Sequence, residues 1–219
     1  MIETILNLFL HLDQNLAGVM QSYGMWTYLL LFFIIFLETG LVIMPFLPGD
    51  SLLFVSGALA ASGIMNLEML IVVYILGAIL GDTVNYWLGN YLGLNVFQKR
   101  FPNILKKEYI DQTYSYFEKY GGATIFIVRF VPIIRSLAPF LAGVGSMRYR
   151  KFLFYNVSGA IAWTLIIVLG GYYIGSFSII QENMNLFLIF VILMTAGSVL
   201  VIIAGIVKAL KKKQKPEGH

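Results

Sequence analysis

The 219-residue chain contains no cysteine. Disulfides, thiolate nucleophiles and cysteine-held metals are therefore excluded. Its two histidines, His11 and His219, stand near the two ends of the sequence, away from its polar interruptions. That distribution argues against a Ser-His hydrolase or a histidine metal centre. Ser51 and Ser136 each lack a His or Lys within their own motifs. The sequence thus points away from an enzyme, and no metal or cofactor is expected. Charge is scarce as well: 12% of residues are charged, against about 25% in soluble domains. Basic charge is missing from the first 98 residues, which carry six acids (Glu3, Asp13, Glu38, Asp50, Glu68 and Asp82) and neither Lys nor Arg. All fifteen basic residues lie at or after Lys99. The basic tail from Lys208 to Lys215 reads as a topology signal, not as a nucleic-acid site. The first residues also lack the basic start and small-residue cleavage site of a secretory signal, so none is expected.

What the chain has instead is apolar sequence, with 59% hydrophobic residues and a mean hydropathy of +0.82. This composition predicts an all-α integral membrane protein folded as one polytopic domain over residues 1–219. Two hydrophobic stretches are interrupted. The first, residues 29–61, is broken by E-T-G-L-V-I-M-P-F-L-P-G-D, from Glu38 to Asp50. The second, residues 123–144, is broken by R-F-V-P-I-I-R-S-L-A-P, from Arg129 to Pro139. Pro45, Pro48, Pro132 and Pro139 are read as the hairpin breakers, because proline removes a backbone donor and stops a helix. Gly49 and Gly143 are read as allowing tight turns or close helix approach. The halves of the first stretch, residues 29–37 and 51–61, are too short to cross about 30 Å of hydrocarbon at 1.5 Å per residue. Uninterrupted spans are predicted at about residues 67–88, 152–174 and 186–207.

Charge around these pieces sets their orientation. The segments 95–120 and 148–151 and the C-terminal tail are basic, so all three are expected in the cytoplasm, while 176–184 carries only Glu182 and is expected outside. The second broken segment then has cytoplasmic flanks on both sides and must be re-entrant. The first is predicted to enter and leave from the other face. The resulting plan has an amphipathic helix (1–24), a first repeat (25–93), an interfacial cytoplasmic segment (94–121), a second repeat (122–175), and a last span with its basic tail (176–219). The pattern G-A-I-x9-G-x-Y-x-G, at Gly77 to Gly93 and again at Gly159 to Gly175, supports the repeat. The expected architecture is an inverted repeat of two re-entrant hairpins, each followed by a transmembrane helix, as in many transporters.

The breaks also hold the chemistry. An ionisable side chain at membrane depth costs about 2.5–3.5 kcal/mol on insertion scales, so its presence marks function. Glu38 and Asp50 have no basic residue in their own half of the chain, and their candidate partners are Arg129 and Arg135. Two readings follow. The pairs form a fixed lock between the repeats, or the carboxylates exchange protons as they alternate between a desolvated state and a guanidinium partner. Arg129 and Arg135, with planar forks suited to phosphate, are candidate headgroup ligands, or else counterions for the acids. Asp82 is either a third proton site or the cap of a re-entrant helix end; it shares a helix face with Asn85 at i, i+3 spacing. Asn156 and Trp163 are read as packing and interface residues.

The motifs E-T-G-L-V-I-M-P-F-L-P-G-D-S-L-L-F-V-S-G-A-L-A, G-D-T-V-N-Y-W-L-G, R-F-V-P-I-I-R-S-L-A-P-F-L-A-G and Y-N-V-S-G-A-I-A-W resemble the DedA family of bacterial inner-membrane proteins, within the VTT / SNARE-associated superfamily. The resemblance implies opposed re-entrant hairpins, with Glu38, Asp50, Arg129 and Arg135 as functional residues. It also implies lipid translocation linked to proton motive force, with undecaprenyl phosphate first and phosphatidylethanolamine next as the lipid. The expected partners are a membrane phospholipid or polyprenyl phosphate and protons, with no nucleic acid, and a homo-oligomer is compatible. The expected location is the bacterial cytoplasmic membrane, multi-pass, with a cytoplasmic C-terminus. Two other readings stand beside this one: a proton-coupled antiporter for small cations or drugs, and a non-transporting scaffold for envelope machinery.

Overall fold

A computed structural model describes residues 24–40, 49–100, 107–131, 134–177, 180 and 182–183. The expected N-terminal amphipathic helix, the last span, and Pro45, Pro48 and Pro132 lie outside the described residues. Among the described residues the chain is helical and contains no strand. Helix α1 is Met25–Gly40, α2 Gly49–Ala61, α3 Leu67–Arg100 and α4 Lys107–Tyr120. Short turns then lead through α5 (Thr124–Ile127) and the 3-10 turn Val128–Phe130 to α6 (Ile134–Val144) and α7 (Tyr149–Gly175).

Two helices are long and apolar enough to cross a membrane, Leu67–Gly93 and Tyr149–Gly175, each of 27 residues. Both extend a few residues beyond the spans expected from hydropathy. The first ends where Gly93 leaves helical geometry at φ 66°, a left-handed value that favours glycine. Helices α1, α2 and α6 are apolar but shorter, with 16, 13 and 11 residues. At 1.5 Å per residue they reach about 24, 20 and 17 Å, short of the hydrocarbon thickness.

The breaks are narrower than the sequence suggests. Helix α1 continues through Glu38 to Gly40, and α2 already includes Asp50 in its first turn. Thr39 Oγ1 donates back to the Ile35 carbonyl at 2.9 Å, which lets a polar residue stay in the last turn of α1. In the second segment Val131, the residue before Pro132, is extended (φ −110°, ψ 104°), as the steric clash with a following proline requires. The helix resumes at Ile134 and runs through Pro139. Pro139 is therefore not a hairpin breaker. It withholds one backbone donor from the α6 ladder, and burial on both sides of it, from Ala138 to Phe140, holds the helix together across the gap.

Arms and long helices pack crosswise. Helix α1 lies on α3 and α5 on α7, whereas α2 lies on α7 and α6 on α3. The last two crossings share one design. Gly171 faces the Phe54 carbonyl and Gly57 faces the Val168 carbonyl; Gly89 faces the Phe140 carbonyl and Gly143 the Tyr86 carbonyl. In each pair a Cβ on the glycine would overlap the opposing backbone. Close backbone approach of this kind drives helix association where no water is expelled. Outward positions are apolar, including Leu30, Phe33, Leu76, Phe154 and Ile166, while Glu38, Asp82, Asn85, Arg129 and Asn156 are buried. Apolar outside and ionic inside is the arrangement a hydrocarbon solvent selects.

Candidate functional site

The ends of the interrupted helices meet between α3 and α7, and the ionic side chains sort into two groups. In the first, Arg135 from the first turn of α6 receives both carboxylates of the other break. Its Nη2 pairs with Glu38 Oε1, and its Nη1 donates to Asp50 Oδ1 at 2.6 Å. In the second, Arg129 from the 3-10 turn pairs with Asp82 on α3 at 2.9 Å and donates through Nη1 to Asn156 Oδ1 on α7 at 3.1 Å. Both arginines thus pair across the repeats, but unequally. Glu38 and Asp50 share Arg135, and Arg129 is committed to Asp82. Asp82 is neither a free carboxylate nor a helix cap; it is the counterion of the second arginine.

The two groups differ in access. The Asp82 and Arg129 side chains are 7% and 5% exposed. Asp50, on the rim, is 45% exposed, with Arg135 at 15% and Glu38 at 2%. Local backbone explains these placements. Glu38 lies in the last turn of α1, where the negative end of the helix dipole opposes a carboxylate. Its Oε2 instead rests against Gly49, at the start of α2, where the dipole is favourable. Asp50 occupies the first turn of the same helix. The α2 N-terminus thus collects both acids and presents them to one guanidinium.

Gly49 has to lack a side chain for this to work, since a Cβ there would overlap the Glu38 carboxyl. Gly49→Ala is expected to keep the helix, because the carboxyl at the tip of a flexible side chain yields before backbone does. The displaced Glu38 then becomes reactive to a water-soluble carbodiimide, read by mass spectrometry, whereas wild-type Glu38 is protected. Equal labelling in both proteins would remove this account of Gly49.

Three neutral residues complete the network. Asn85 Nδ2 donates to the carbonyls of Thr39 (3.1 Å) and Ser136 (2.7 Å), tying the end of α1 to the start of α6. Asn156 Nδ2 donates to the Ile79 carbonyl at 3.1 Å, joining α7 to α3. Trp163 Nε1 donates to Asp50 Oδ1 at 3.0 Å, and its ring centroid lies 5.5 Å from the Arg135 guanidinium and 5.7 Å from that of Arg129. Asn156 and Trp163 are therefore parts of the polar centre and not packing residues alone. The space left among Glu38, Thr39, Asp82, Arg129, Arg135 and Trp163 is about 20 Å³, the room of a single water. Both guanidiniums are held by carboxylates, so this conformation is closed around its ion pairs. Among the described residues no group of three or more His, Cys, Asp and Glu side chains could hold a metal ion.

Comparison with known proteins gives this centre a lineage. The VTT domain matches residues 47–173, a segment that holds Asp50, Asp82, Arg129, Arg135, Asn156 and Trp163. Protein DedA of Escherichia coli strain K12 is 42% identical over 216 residues, covering 98% of this chain and 96% of that protein. An uncharacterized membrane protein of Mycobacterium tuberculosis is 38% identical over 178 residues, or 80% of this chain and 78% of the relative. The inner membrane protein YqjA of Escherichia coli K12 is 36% identical over 148 residues, 68% of this chain and 67% of its own length. No solved structure matches the chain. With apolar membrane-crossing helices, a matching domain over more than half its length and relatives along nearly all of it, the chain belongs to the DedA family of VTT-domain membrane proteins.

Proposed function

We propose that this protein moves a phosphate-bearing lipid across the cytoplasmic membrane, with undecaprenyl phosphate first and phosphatidylethanolamine next, and that the movement is linked to proton motive force. The observation that carries this reading is Arg135: a guanidinium inside a membrane protein, held by two carboxylates, one of them on the rim. The two terminal nitrogens that donate to two separate carboxylates are suited to donate to two oxygens of one phosphate instead. Arg129, buried and capped by Asp82 and Asn156, holds the frame behind it.

Charge links the headgroup to protons. Three carboxylates face two guanidiniums in the centre, so with all five ionised it is one positive charge short. A phosphate that takes Arg135 adds further negative charge in a poorly solvated place. Uptake of protons by Glu38 and Asp50 relieves that repulsion, and their return to Arg135 expels the headgroup. The reciprocal glycine crossings of α2 on α7 and α6 on α3 support an inverted repeat with two re-entrant hairpins. In that arrangement the breaks open a groove for the headgroup while the tails stay in hydrocarbon. The charge distribution supports a cytoplasmic C-terminus.

The test is reconstitution in proteoliposomes with labelled undecaprenyl phosphate. Arg135→Lys keeps the charge and loses the fork, and is expected to slow translocation at least about tenfold, since a hydrogen bond to a charged group contributes about 1.5–3 kcal/mol. Translocation at the wild-type rate would remove Arg135 from phosphate binding. The shortage of positive charge favours a second reading, a proton-coupled antiporter for small cations. That reading predicts cation-driven decay of a pH gradient in vesicles that contain no transported lipid, with Arg135→Lys active.

A further inference from the structure

Arg135 must let go of two carboxylates before it can take a headgroup; Glu38, 2% exposed, is strongly unfavourable without a partner, whereas Asp50, 45% exposed, meets water and needs only to be held in place. Glu38 Oε2 packs against Gly49 at the N-terminal end of α2 without a hydrogen-bond partner. Asp50 has a second donor. Trp163 Nε1 donates to Asp50 Oδ1 at 3.0 Å, and the same oxygen receives Arg135 Nη1 at 2.6 Å. Trp163 is 2% exposed, so water does not compete for its N–H. Its ring also lies within cation–π distance of both guanidiniums. The indole therefore touches the mobile ion pair and the fixed one from a single position on α7.

We infer that Trp163 is a positioning residue of the headgroup site, an inference that rests on the lipid reading above. It retains Asp50 when Arg135 turns to a ligand, so the rim carboxylate keeps its place beside the guanidinium while the latter exchanges partners. A phenylalanine at this position keeps the ring face and loses the donor. Asp50 then depends on Arg135 for its fixed partner, and Arg135 is released less readily.

The experiment is first made without lipid. The protein, labelled with 15N-tryptophan in nanodiscs, carries three indole N–H signals, from Trp26, Trp87 and Trp163, and Trp163→Phe assigns the third. Asp50→Asn is expected to move the Trp163 signal upfield, as a charged acceptor becomes neutral. Arg135→Gln is expected to move it further downfield than in the wild type, because Asp50 then has Trp163 as its remaining donor. If Arg135→Gln does not fold, Arg135→Lys is expected to give the same direction with a smaller shift. A signal that moves upfield on loss of Arg135, as in Asp50→Asn, would show that Asp50 leaves with the arginine and would overturn the proposal. So would an indole signal indifferent to Asp50→Asn. Because this readout needs no transport, it can fail while the lipid reading stands, or hold while that reading fails. In proteoliposomes with labelled undecaprenyl phosphate, Trp163→Phe is expected to raise the half-saturating lipid concentration about tenfold. The same change in an Asp50→Asn background is expected to do nothing further, and an undiminished effect there would assign Trp163 to packing.

Discussion

Arg135→Ala is expected to lower folding stability by about 3–5 kcal/mol and to stop lipid movement altogether, because removing one partner of a buried ion pair leaves an uncompensated charge. Here one guanidinium serves two carboxylates, and Glu38 is buried at 2% exposure. The cause is separable from the loss of function. In Glu38→Gln/Asp50→Asn/Arg135→Gln the charges leave together, so most of the lost stability is expected to return while translocation remains absent. Thermal unfolding in detergent and flux in proteoliposomes measure the two effects. A triple variant no more stable than Arg135→Ala would mean that Arg135 supports the fold through packing and not through charge.

The second large effect is a dissociation between two aspartates. Asp82→Asn leaves the Arg129 guanidinium buried with a neutral amide, a loss again on the order of 3–5 kcal/mol. Asp50→Asn removes a carboxylate that is 45% exposed, where ion pairs contribute about 0–1 kcal/mol, and Arg135 still holds Glu38. Asp82→Asn is therefore expected to be the more destabilising and Asp50→Asn the more damaging per folded molecule to lipid flux. Denaturant or thermal unfolding ranks the first pair of values. Flux normalised to folded protein ranks the second. If Asp50→Asn proves the more destabilising of the two, the division into a mobile rim pair and a fixed inner pair is wrong.

Much of this centre was legible in the sequence because membrane insertion makes a few residues conspicuous. Glu38, Asp50, Asp82, Arg129 and Arg135 stand out against apolar surroundings, and the absence of Lys and Arg before Lys99 leaves the acids of the first half dependent on the second. Who pairs with whom was not legible. It depends on how α1, α3, α6 and α7 are rotated about their axes, and that is decided by glycine crossings whose partners are backbone atoms of distant helices. Asn156 and Trp163 escaped because an amide or an indole in an apolar helix carries no period that separates a polar-network member from an interface residue. Pro139 misled for a related reason. A proline marks a missing donor wherever it stands, but whether the helix stops or continues across it depends on the packing around it. The chain leaves helical geometry at the extended Val131, beside the first of the motif's two prolines.

The double donation of Asn85 bears on how the molecule moves. Both of its side-chain N–H groups are committed, one to the end of α1 and one to the start of α6, and the residue is completely buried. Opening either break alone would strand one of these donors at a cost of about 1–3 kcal/mol, while the other still grips the break that has not moved. Rearrangement of one break alone is thus disfavoured relative to joint rearrangement. A single amide, placed where two discontinuous helices converge, makes their motion cooperative.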